Sequence, residues 1–221
     1  MKKLFFLLLA LCSLELAQAQ KKFSDKEIEA LKIQLSENVG KHARDIQVMV
    51  DQIFSYSELG FQEWETSAFI IAELEKNGFT VEKGISGVPT AWMAKWGSGS
   101  PVIALGSDVD CIPKASQKPG VAYRAPIVDG APGHGEGHNS GQAVIIYAAI
   151  AMKEMMEKQK IPGTIVIWPG IAEELVGTKA WYIRDGYFKN VDACIFTHVS
   201  GDFTSDSVSY THLTLPTKRI V

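Results

Sequence analysis

Apolar positions along the chain alternate between two periods. Ser24-Asp25-Lys26-Glu27 reads as a capping box, and Ile28, Leu31 and Leu35 follow it at helical spacing. A second helix is predicted after Gly40, through Ile46, Val50 and Ile53. A third is predicted over residues 63–77, with Ala68, Ile71, Ala72 and Leu74 apolar and Gly78 closing it. The pattern then shortens. Residues 79–82, 90–96 and 102–105 read as strands, with Gly97-Ser98-Gly99-Ser100 as the turn between the last two. Residues 106–139 are rich in Gly, Pro, Asp and His and show little periodicity, and a loop of that length is usually functional. Residues 142–158 are apolar on nearly every side, through Val144, Ile145, Ile146, Ile150, Met152 and Met155, which predicts a buried helix. Beyond Pro162-Gly163 come a strand over 164–168, a helix over 174–185 and a strand over 191–197 that ends at His198.

Strands alternating with helices after residue 100 predict an α/β fold, a mixed and largely parallel sheet flanked by helices. Acids and histidines collect just past the predicted strand ends: Asp108 and Asp110, then Glu173 and Glu174, then His198. Open α/β sheets bind ligands at the carboxyl ends of their strands, so these residues are the first candidates for a site.

Composition changes this picture only at the ends. The 221 residues are 46% hydrophobic and 21% charged, with a formal net charge of -3, which offers no basic face for nucleic acid. Lys2 and Lys3, the apolar run over 4–14 and Ala17-Gln18-Ala19 read as a signal peptide over residues 1–19, cleaved after Ala19. That predicts an exported protein, periplasmic or secreted, with no membrane attachment after cleavage. The alternative is an N-terminal anchor, for which the run is short; a lipid anchor at Cys12 is disfavoured by the bulk of Leu11. Cleavage leaves Cys111 and Cys194, expected to be buried free thiols rather than a disulfide.

Two clusters carry the chemistry. In Gly133-His134-Gly135-Glu136-Gly137-His138-Asn139, alternate glycines let the backbone fold tightly while the side chains between them converge, and Glu and His suit a zinc-like divalent ion. The bland alternative is a loop that merely turns. In Ala172-Glu173-Glu174, adjacent carboxylates repel unless a cation or proton intervenes; one can bind metal while the other takes a proton from water. Here the alternative is a solvated helix start. Asp108-x-Asp110-x-x-Pro113 also reads as an Asx turn, and a lone histidine such as His198 is often structural.

In order and spacing, residues 107–113, 133–139, Ala172-Glu173-Glu174 and Thr197-His198 resemble the aminoacylase/carboxypeptidase G family of metallopeptidases. Within it, the resemblance is to the branch of the indole-acetyl-amino-acid hydrolases and the aminobenzoyl-glutamate hydrolases. Residues 58–63 resemble the branch's segment before its first long helix, and the resemblance covers about residues 40–205. It implies a zinc-peptidase-like catalytic domain that hydrolyses an amide bond in an N-acyl amino acid or peptide-like substrate. Glu173 resembles the general base, which takes a proton from the attacking water and returns it to the leaving amine. Glu174, His138 and His198 resemble metal ligands. Glu136 stands where the branch commonly has a metal-binding cysteine and other members a bridging carboxylate, so it too is expected in the metal shell. Asp110 resembles the aspartate that orients the site from behind the ligands. Asp108 stands where dinuclear members have a histidine, which leaves its role open. The implied cofactor is one or two divalent ions, zinc first, with manganese or cobalt as alternatives.

Family members are longer, carry an inserted lid or dimerisation domain, and supply a further histidine from a return segment. The chain is therefore expected to hold the N-terminal part of the catalytic domain over residues 20–206, the full-length form being a homodimer. Residues 207–221 are expected to be non-native, and His212 is given no role. The rival readings are a non-catalytic metal- or peptide-binding protein on the same scaffold and an inactive gene fragment.

Overall fold

The computed structural model describes residues 23–201. The expected signal peptide over 1–19, Cys12 and the tail with His212 lie outside the described residues. Helix α1 (Asp25–Lys41) opens with the expected capping box: the Ser24 hydroxyl accepts from the Glu27 backbone N–H while Glu27 reaches back to Ser24. Helices α2 (Ala43–Tyr56) and α3 (Trp64–Lys76) fall where the periodicity puts them. Strand β1 (Thr80–Lys83), β2 (Trp92–Ser98) and β3 (Val102–Asp108) follow, then α4 (His138–Gln159), β4 (Gly163–Gly170), the short helix α5 (Lys179–Arg184) and β5 (Ala193–Phe196).

The five strands form one sheet in the order β1-β2-β4-β3-β5. It is mixed, as expected. Strands β3, β4 and β5 run parallel, whereas β2 pairs antiparallel with β4 on one side and with the edge strand β1 on the other. Every residue of β4 is buried, which explains its unbroken apolar run. The apolar helix α4 packs on β3 and β4 beneath α1 and α2 and buries Ile145, Ile146, Ala149 and Ile150. Among the described residues no helix is long and apolar enough to cross a membrane.

Three expectations need correction. Helix α4 begins at His138, not at 142, because left-handed Gly137 (φ 72°) turns the chain into it and His138, Asn139 and Gly141 are buried. The helix expected over 174–185 is broken: Glu173–Leu175 is one 3₁₀ turn, Val176 is left-handed (φ 55°), and helical structure resumes only at Lys179. Cys111 is buried and Cys194 exposed; both are free, so the expected absence of a disulfide agrees but the burial of Cys194 does not.

Candidate metal centre

The carboxyl ends of β3, β4 and β5 open on one side of the sheet, and the chain past each supplies acids or histidines. Past β3, Asp110 is buried. Its backbone carbonyl accepts from His138 Nδ1 at 2.8 Å, and its carboxylate Oδ2 accepts from the Glu174 backbone N–H at 3.0 Å. Asp110 therefore ties together the two segments that carry the clusters. With Nδ1 donating to the carbonyl, His138 presents the lone pair of Nε2 to the site.

Nε2 of His138 faces Nε2 of His198 at 3.3 Å, with Glu136 Oε2 at 3.5 Å from His198 and 4.0 Å from His138. Two nitrogens each about 2.0 Å from a tetrahedral ion would lie about 3.3 Å apart, so this triangle has the dimensions of a metal shell. Among the described residues two overlapping groups have ligating atoms within 4.8 Å of one another: Glu136, His138, Glu173 and Glu174, and Asp108, His138 and His198. Glu174 Oε1 is buried without a hydrogen-bond partner, as a ligand atom awaiting an ion would be. The set of oxygen and nitrogen donors fits a divalent ion from zinc to manganese.

The protonation equilibria reflect the same crowding. Burial, with repulsion from Glu136 and Asp110, pushes the Glu174 carboxyl above its ordinary range. Burial pulls His138 down, but its bonds to Asp110 and the charges of Asp108 and Asp110 outweigh that and raise it.

The loop geometry that aims these groups is local in part. A side chain at Gly137 would meet Val199 Cγ2 at 2.6 Å, so glycine lets the Glu136 loop approach the His198 segment. The turn bearing Glu173 and Glu174 is set from a distance. Ala172 is left-handed (φ 54°), a costly conformation for alanine, and its N–H donates to the wholly buried Glu63 carboxylate at 2.9 Å. Glu63 also accepts from the Thr90 hydroxyl at 3.0 Å, and burial raises its pKa. Gly60 packs so closely on Ala172 that an added Cβ would lie 2.9 Å from Ala172 Cα. Glu58 caps α3, accepting from the N–H groups of Glu65 and Thr66. Neither Glu58 nor Glu63 has an assigned role in the sequence pattern; the available signal is two acids shortly before a helix start that lacks a capping Ser, Thr, Asp or Asn.

Asp108 is buried at the end of β3 with its Oδ1 2.8 Å from Lys179 Nζ, so it already has a cation of the chain's own. Burial raises its pKa against the pull of Lys179. Thus Glu136, His138, Glu173, Glu174 and His198 converge, Asp110 stands behind them, and Asp108 pairs with Lys179 while lying within reach of His138 and His198. An apolar cavity of about 390 Å³ beside Pro101, Met152, Met155 and Pro162 lies at the amino ends of β3 and β4 and has none of these groups among its lining.

No protein-family model matches the chain. Individual proteins do. The chain is 35% identical to a p-aminobenzoyl-glutamate hydrolase subunit of Escherichia coli, over 68% of this chain and 31% of that one. It is 32% identical to N-acetyl-L-cysteine deacetylase of Bacillus subtilis, over 71% of this chain and 36% of that one. Among solved structures it is similar to a dinuclear metal-binding peptidase of the M20 family from Bacillus subtilis, with 25% identity, a TM-score of 0.57, and coverage of 72% of this chain and 43% of that one. The chain spans about a third of the length of the two curated relatives.

Proposed function

Since the chain belongs to the M20 family of metallopeptidases and amidohydrolases, we propose that the full protein is a metal-dependent hydrolase of an amide bond in an N-acyl amino acid or peptide-like substrate. The observation that carries this reading is the convergence of Glu136, His138, Glu173 and Glu174 within one group of ligating atoms, with His198 set against His138 and Glu136. Glu136, His138, Glu174 and His198 would hold the ion, zinc first by donor type. A bound divalent ion supplies Lewis acidity, lowering the pKa of a water and polarising the scissile carbonyl.

The chain's own residues do the rest. Glu173 takes the proton of the attacking water and delivers it to the leaving nitrogen. Its half-exposed carboxylate is open to substrate. Asp110 fixes the His138 ring through its carbonyl and the Glu174 backbone through its carboxylate, so the ligand frame is set before any ion arrives. A solely metal- or peptide-binding protein would need no second carboxylate at position 173. Export directed by residues 1–19 is part of this proposal, supported by their basic start, apolar run and Ala17-Gln18-Ala19.

The test is hydrolysis of a panel of N-acyl amino acids by the full-length protein. Turnover should vanish on chelation and return with added zinc or manganese. Turnover that survives chelation would sink the metal-dependent reading.

A further inference from the structure

Lys179 has a setting that the ligand frame does not account for. It is the first residue of α5, half exposed, and its Nζ meets three partners. Asp108 Oδ1 lies at 2.8 Å, Glu173 Oε1 at 3.9 Å, and the face of the Phe196 ring at 4.6 Å from the centroid. Those partners come from the ends of three neighbouring strands, β3, β4 and β5. The seat is made to fit: a Cβ at Gly170, the last residue of β4, would collide with Asp108 Oδ1 and lie 2.8 Å from Lys179 Cε. An ammonium has three donors, and Asp108 Oδ1 is its nearest acidic partner, at 2.8 Å. Among the described residues the ion pair of Glu173 is with Lys179 alone. Glu173 itself sits on a one-turn 3₁₀ segment between two left-handed residues, a backbone that does little to fix its side chain.

We propose that Lys179 is a positioning residue, which is anchored on buried Asp108 and holds the Glu173 carboxylate in place at the edge of the ligand cluster. The inference rests on Glu173 acting as the base. A lysine that only neutralised Asp108 would have no need to reach Glu173, and a lysine that bound substrate would not be seated on a buried acid. The ammonium transfers rigidity from the strand end to a side chain that needs a fixed place, since small displacements of a reacting group cost rate steeply.

The test uses the metal-loaded full-length protein with Lys179→Met, Lys179→Arg and the double variant Asp108→Asn/Lys179→Met. Lys179→Met should lower kcat by about tenfold to a hundredfold at unchanged KM and metal content, and Lys179→Arg should recover most of it. Lys179→Met should also lower the melting temperature, because Asp108 is left buried without a cation. The double variant should regain the melting temperature but not kcat. Recovery of both would reduce Lys179 to charge compensation and overturn the proposal. So would a rise in KM with kcat kept, which marks a substrate contact, or loss of metal, which marks an effect on the ligands. If the wild-type protein hydrolyses no amide, the functional reading fails by itself. The positioning contact is then decided by melting temperature: Lys179→Met should cost less in a Glu173→Gln background, and strictly additive effects would refute the contact.

Discussion

Replacing Glu173 by glutamine is expected to lower kcat by about 10²-fold or more while metal content stays near the wild-type level. Glutamine keeps the shape and can still accept a hydrogen bond, but it cannot take a proton at neutral pH. The partners of the two adjacent glutamates predict different outcomes for each. Glu173 faces Lys179 at the edge of the cluster, whereas Glu174 has its backbone N–H on Asp110 and a buried Oε1 with no partner. Glu174→Gln should therefore lose metal as well as activity, since an amide oxygen is a weaker ligand than a carboxylate. Steady-state kinetics with elemental analysis of both variants checks this. Equal metal loss in the two would mean that their roles are shared or reversed.

The second large effect is expected at His138. It is buried at the first turn of α4, its Nδ1 is committed to the Asp110 carbonyl, and it belongs to both candidate ligand groups. Changes to residues behind a metal's ligands typically cost 10- to 100-fold in affinity. His138→Ala removes a ligand itself and should weaken zinc binding by more than about 100-fold. The remaining shell of Glu136, Glu174 and His198 has one ligand fewer and a single imidazole, which suits zinc less well. Competition against a chromogenic chelator measures it. An affinity equal to that of the unaltered protein would strike His138 from the shell.

The parallel half of the fold was legible because its signals are local. Glycine and proline punctuate the strands, apolar runs mark β3, β4 and β5, and acids or histidines stand past each of their ends. The antiparallel joining of β1 and β2 was not legible, since strand order depends on pairings between distant segments. Glu173 and Glu174 suggested a helix start through the dipole, yet the chain makes one 3₁₀ turn there. What decides it is Glu63, more than a hundred residues earlier, holding the Ala172 N–H, together with the close approach of Gly60. Likewise His138 and Asn139 read as the end of the loop over 106–139, but Gly141 packs against Ser107 of β3 and allows α4 to begin at His138. The seat of Lys179 is equally non-local. A lysine at the start of a short helix has no distinguishing sequence signal until β3, β4 and β5 bring Asp108, Glu173 and Phe196 around it.

Everything proposed for the site depends on one ion being held where Glu136, His138, Glu174 and His198 meet. The direct measurement is a crystal structure of the full-length protein soaked in zinc, with anomalous data collected on both sides of the zinc absorption edge. The expected result is an anomalous peak about 2.0–2.2 Å from the ligand oxygen and nitrogen atoms of these four residues, with the Lys179 ammonium still seated on Asp108. A peak confined to surface carboxylates, or an ion bound by Asp108 with Lys179 displaced, would contradict it.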